Sequence, residues 1–171
     1  MNQQLHNETK IFVTGIYGSG KTTYAKEYSK ISDLKYVDFD MYFNYASTLS
    51  ALKRESDEHF LNVLSNYYIT DAIPWDPATG SSSRFIKFAK EDSKVLIVCC
   101  LCSDKEEWAR RIVECKSLEI SEERFKHYAG FYKDILPCYF ENNLKYYDTF
   151  TNEYLDKEKM YERIAWINGY C

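Results

Sequence analysis

Gly15-Ile16-Tyr17-Gly18-Ser19-Gly20-Lys21-Thr22, followed by Thr23, is a complete G-x-x-x-x-G-K-[ST] pattern. It lies after a short apolar run, Ile11-Phe12-Val13, and before a stretch of helical periodicity. Those flanks matter, because the chemistry of the pattern needs a strand on one side and a new helix on the other. Glycines let the backbone curl until successive N–H groups converge on a phosphate, and the helix adds its positive end. In that arrangement Gly15, Gly18, Ser19, Gly20, Lys21, Thr22 and Thr23 bind the phosphates of a nucleotide. Lys21 reaches toward the β- and γ-phosphates, and the Thr22 hydroxyl is a ligand for Mg²⁺.

Outward from this loop, short apolar runs alternate with longer helical segments, the pattern of a parallel sheet covered by helices. Strands are expected at about 10–15, at Lys35 to Asp38, at Tyr67 to Ile73, at Lys94 to Cys100 and, weakly, at Lys145 to Asp148. The fourth is Val- and Ile-rich without alternation, as central parallel strands tend to be. Helices are expected at about 20–30, 41–53, 57–65, 82–91, 104–116 and 121–142. A closing helix places Met160, Ile164 and Ile167 on one stripe. The result is a three-layer α/β domain with a mostly parallel five-stranded sheet, and the 171 residues suit one such unit.

Composition excludes several classes. A net charge of −4 with no basic block argues against nucleic acid as a partner. The longest apolar run, Val95 to Leu101, is far short of a membrane span, and residues 1–10 carry no apolar leader. A cytoplasmic setting is expected, in which the six cysteines are free thiols. Cys99 and Cys102 have C-x-x-C spacing, but on an apparent buried strand with no second pair, so apolar packing is the reading.

In open α/β sheets ligands bind beyond the carboxyl ends of the strands, which singles out the aspartates there. Asp38 and Asp40 follow the second strand and Asp71 the third. Beside a phosphate loop such a carboxylate holds Mg²⁺ directly or through water, the role read for Asp71 or Asp38 together with Thr22. Asp38 or Asp40 would orient an acceptor hydroxyl and take its proton late. The plainer alternatives are that Asp40 caps a helix starting near Met41 and that Asp71 is a turn residue.

Gly15 to Thr23, Val37-Asp38-Phe39-Asp40 and Tyr68 to Pro74 together resemble the small P-loop kinases, the group of nucleoside monophosphate, shikimate and gluconate kinases. The second stretch is similar to the D-x-D segment of shikimate-type members and the third to an apolar run plus D-G-[FY]-P. Ser103 to Arg111 resembles the helix ending in arginine that follows the fourth strand, and Arg124 with Tyr128 matches an R-x-x-x-Y pattern. The resemblance implies a P-loop NTPase domain with a short helical lid at about 112–123. It also implies ATP and Mg²⁺ as cofactors and Arg110, Arg111 or Arg124 at the transferring phosphate. An arginine suits that place because its planar fork meets phosphate oxygens in pairs, although each of the three taken separately is more often a solvated helix-face residue.

The chain departs from the pattern at Ala72 and Trp75, where monophosphate kinases carry glycine and an acceptor-binding arginine, and it lacks the glycine triplet of shikimate enzymes. Cys115 and Lys116 stand where the lid arginine is expected. The acceptor is expected against residues 41–66 and 75–91, where Tyr42, Arg54, Trp75 and Arg84 mix rings with cations. The expected activity is transfer of the γ-phosphoryl group of ATP to a small molecule, by a monomer or homodimer. The alternatives are a nucleoside or nucleotide kinase with an altered pocket, and a nucleotide-dependent switch without transfer.

Overall fold

A computed structural model describes residues 10–32, 34–37, 68–71, 95–116, 132 and 144–166. The five expected parallel strands are present as β1 (Lys10–Thr14), β2 (Lys35–Val37), β3 (Tyr68–Asp71), β4 (Val95–Leu101) and β5 (Leu144–Asp148). A sixth, β6 (Glu153–Leu155), pairs antiparallel with β5 and was not expected. The sheet order is β2-β3-β1-β4-β5-β6. β1 therefore lies inside the sheet between β3 and β4, and the order reverses around it, which places the loop after β1 at the topological switch point.

Burial accounts for the central place of β1 and β4. Leu96 to Leu101 of β4 are all buried, so the unbroken apolar run reflects cover on both faces. On one face Ile11, Val13, Leu96, Val98, Cys100 and Tyr147 pack against Tyr24, Ala25 and Tyr28 of helix α1 (Lys21–Ile31). By alternation Phe12, Ile97 and Cys99 point to the opposite face, and they are at most 2% exposed, so that side is covered as well. Helix α2 (Lys105–Lys116) buries Trp108 and Ile112 completely. Helix α3 (Lys157–Arg163) starts at Asp156, whose carboxylate accepts the Lys159 N–H at 2.8 Å, and it buries Met160 and the adjoining Ile164.

The β5–β6 connection explains why the sixth strand escaped the sequence. Asp148 pairs with Glu153, and the turn between them is built by Asn152 in the left-handed region (φ 59°). Three residues are too few to show a strand period, so only tertiary pairing defines β6. Residues 112–116, shared by the expected lid and the helix expected at 104–116, belong to α2, where Ile112 continues the buried stripe begun by Trp108. The rest of that lid, and the helices expected at 41–53, 57–65, 82–91 and 121–142, lie outside the described residues apart from Tyr132. Among the described residues, no helix is long and apolar enough to cross a membrane.

Cys99, Cys100 and Cys102 are buried free thiols, and among the described residues no cluster of metal-ligating side chains is found. Burial pushes all three thiols up, Cys102 to about 11. At neutral pH they are therefore protonated and poor nucleophiles. No more than three of the six cysteines should react with a disulfide reagent in the native protein, with all six reacting in denaturant. Native reaction of four or more would show that β4 is accessible.

Candidate nucleotide-binding site

Gly15 to Gly20 bridge the end of β1 and the start of α1. Gly18 and Gly20 adopt φ of 74° and 84°, which side chains with a Cβ rarely tolerate. Gly20 is also the N-cap of α1 and provides no side-chain cap, while the first turn carries no acidic residue. The positive end of α1 therefore faces the loop, and the first turn places no carboxylate of its own there. Inside the loop, the Ser19 N–H donates to the Ile16 carbonyl at 3.1 Å, and α1 begins with the Tyr24 N–H on the Gly20 carbonyl at 2.9 Å.

Three side chains from distant parts of the chain hold the loop's backbone. The Tyr132 hydroxyl accepts the Ile16 N–H at 3.3 Å and donates to the Cys100 carbonyl at 2.8 Å, tying the loop's first turn to β4. Trp108 donates from Nε1 to the Tyr17 carbonyl at 2.8 Å. The Thr149 hydroxyl lies 2.8 Å from the Ser19 carbonyl. In a trans peptide the C=O and N–H point in opposite directions, so a tethered Tyr17 carbonyl turns the Gly18 N–H away from Trp108. Tyr132 and Trp108 are both fully buried, and their rings meet edge to face with centroids 6.0 Å apart.

The loop opens onto a cleft of about 670 Å³ lined by Lys21, Thr22, Thr23, Glu27, Arg110, Arg111, Thr149 and Asn152, among others. This volume falls in the range of small-ligand sites. Lys21 Nζ stands 5.9 Å from the centre of the half-exposed Tyr17 ring, at the outer limit of a cation–π contact. Arg110 is exposed and pairs along α2 with Glu107 at 2.8 Å and Glu114 at 2.5 Å. Such exposed helix pairs are weak, so they leave Arg110 able to exchange them for an anion in the cleft. Arg111 is more enclosed, with Nε on Glu107 at 2.7 Å and Nη1 on the Thr149 hydroxyl at 2.8 Å. Hydrogen bonds from Arg110 and Arg111 hold the Glu107 carboxyl down, to about 2, so it is ionised throughout the physiological range.

Asp148, at the end of β5, is fully buried and yet satisfied. Its Oδ1 accepts the Ser103 and Phe150 N–H groups at 3.1 and 3.0 Å, and its Oδ2 accepts the Thr151 hydroxyl at 3.0 Å. The contact with Phe150 is an Asx turn, which fixes the β5–β6 turn and so seats Thr149 on the Gly15–Gly20 loop. The sequence did not single out Asp148, Thr149, Trp108 or Tyr132. Asp-Thr-Phe-Thr-Asn at a strand end is a readable turn signal for the first two. Nothing local marks Trp108 or Tyr132, whose loop partners are 91 and 116 residues away.

Of the residues expected at the site, the structure brings Gly18, Gly20, Lys21, Thr22, Thr23, Arg110 and Arg111 to one cleft. Gly15 and Ser19 lie in the loop beneath it, and Ser19 is fully buried. The backbone of Asp71 pairs with Val13, just before the loop. Asp38, Asp40 and Arg124 lie outside the described residues, as does the expected acceptor region.

The chain shares its fold with solved small P-loop kinases. A shikimate kinase from Bacteroides thetaiotaomicron matches with a TM-score of 0.51 at 15% identity, over 94% of this chain and 97% of that one. A gluconokinase from Sinorhizobium meliloti 1021 matches with a TM-score of 0.51 at 13% identity, over 96% of this chain and 94% of that one. No protein-family model and no curated protein sequence matches the chain.

Proposed function

We propose that this protein is an ATP-dependent phosphotransferase that moves the γ-phosphoryl group to a small-molecule acceptor. The observation that carries the reading is the loop itself. Gly18 and Gly20 are left-handed, the peptide carbonyls are tied to side chains, and α1 opens uncapped onto a cleft that also holds Lys21 and Thr22. Backbone amides and Lys21 bind the triphosphate and offset charge that accumulates on its oxygens during transfer. An arginine among Arg110, Arg111 and Arg124 steadies the moving group. Asp38 or Asp40 orients the acceptor hydroxyl, and the setting is cytoplasmic.

The residues present fit a magnesium ion. Mg²⁺ retains several waters and takes only one or two protein ligands beside substrate phosphates, so no dense carboxylate cluster is needed. Thr22 in the first turn of α1 and Asp71, at the end of the strand paired with β1, would hold it. Bound there, the ion would neutralise phosphate charge.

The test is transfer from Mg-ATP to a panel of nucleosides, nucleoside monophosphates, sugars, hydroxy acids and amino alcohols, read by mass. One acceptor should gain about 80 mass units, the mass of a phosphoryl group. A nucleoside or nucleotide as that acceptor would make the altered-pocket kinase the right description. ATP binding with every acceptor unmodified would favour a nucleotide-dependent switch.

A further inference from the structure

The Thr149 hydroxyl has one proton and three polar neighbours: the Ser19 carbonyl at 2.8 Å, the Leu101 carbonyl at 3.1 Å and Arg111 Nη1 at 2.8 Å. The Leu101 carbonyl already accepts the Thr149 N–H at 2.8 Å. Arg111 is donor only, so it occupies an oxygen lone pair and leaves the hydroxyl proton for Ser19. Glu107, on the other side of the Arg111 guanidinium at 2.7 Å, keeps that group in place. A chain of contacts thus runs from α2 through the β5–β6 turn to the phosphate loop.

Ser19 and Gly20 share one peptide unit, and no peptide among the described residues is cis. With the Ser19 carbonyl held at Thr149, the Gly20 N–H must point the opposite way. The approach is close: a Cβ on Gly20 would stand 2.9 Å from Thr149 Oγ1 and 3.0 Å from its Cβ and Cγ2. The turn is therefore seated on this one peptide, and Asp148 prevents it from lifting.

We infer that Thr149 is a positioning residue for phosphate binding: its hydroxyl holds the Ser19–Gly20 peptide so that the Gly20 N–H is presented to the nucleotide phosphates, and Arg111 orients the hydroxyl for that task. The inference rests on the phosphate-loop reading above. It assigns a function to a residue that touches the loop from outside and need not touch phosphate.

Thr149→Val removes the hydroxyl at nearly constant volume, and Thr149→Ser retains it. Calorimetry with Mg-ATP should show affinity about tenfold weaker in the valine variant and within about twofold of the parent in the serine variant. The ¹H–¹⁵N signal of Gly20 reports the peptide directly. Its shift on ATP addition should persist in the parent and the serine variant and be much reduced in the valine variant. Should Thr149→Val fail to fold, Thr149→Ala supplies the same comparison. Parent-like affinity in the hydroxyl-less variant overturns the proposal, as does weakened affinity with the Gly20 shift intact. No ATP binding by the unsubstituted protein is a separate result, seen before any substitution, and it overturns the phosphate-loop reading together with this proposal.

Discussion

Lys21→Ala should lower phosphoryl transfer at least hundredfold and leave the protein folded. The size of the effect follows from the charge that gathers on phosphate oxygens in the transition state, where removal of one fixed donor commonly costs about 10²–10³ in rate. Little stability is at stake. Lys21 opens α1, alanine is a better helix former, and the cation–π interaction with the Tyr17 ring is worth under about 1 kcal/mol. Turnover on the acceptor identified by mass, beside a thermal melt, separates the two effects. Undiminished turnover in a folded Lys21→Ala protein would remove the central claim about the loop.

The second large effect is expected at Trp108. Its side chain is fully buried, meets the Tyr132 and Trp166 rings edge to face at 6.0 Å each, and holds the Tyr17 carbonyl. Trp108→Ala leaves a ring-sized hole and should destabilise the domain by about 3–5 kcal/mol. That is a large part of the roughly 5–15 kcal/mol available to a domain, and at about 2–4 °C per kcal/mol it lowers the melting point by roughly 6–20 °C. Trp108→Phe divides this effect into its parts. The phenyl ring keeps most of the packing, but the Tyr17 carbonyl is deprived of its donor, so melting should fall less while ATP affinity still drops. A Trp108→Ala protein that melts within a degree or two of the parent would show that these edge-to-face rings contribute nothing in solution.

The sequence was most informative where interactions are local. Gly15 to Thr23 carries its own geometry, so the loop, the strand before it and α1 were readable from adjacent residues. The unbroken apolar run of β4 likewise announced a strand covered on both sides. Strand ends moved by a residue, as where β1 stops at Thr14 and β4 reaches Leu101, because only pairing with a neighbour sets where a strand stops. β6 was not legible, since three residues paired across a turn have no periodicity. The same cause hid Thr149, Trp108 and Tyr132. A hydrogen bond from a side chain to a backbone group about a hundred residues away leaves no trace in spacing. Arg110 and Arg111 were singled out by resemblance, but the sequence could not tell that one is paired along an exposed helix face and the other reaches the β5–β6 turn.

The hydrogen bond between Thr149 and Ser19 spans 130 residues, and this separation has a consequence for how the protein is made. During synthesis Gly15 to Thr22 leave the ribosome early, but the interaction that sets the Ser19–Gly20 peptide cannot form until the β5–β6 hairpin has followed. Closing so long an intervening segment is entropically costly and belongs to the late, slow part of folding. A nascent chain arrested before residue 149 should therefore bind ATP poorly although its motif is complete, and acquisition of ATP affinity during refolding should coincide with docking of the hairpin rather than with formation of α1. On the proposed reading, tight nucleotide binding would wait on completion of the sheet, so a truncated translation product should hold ATP only weakly.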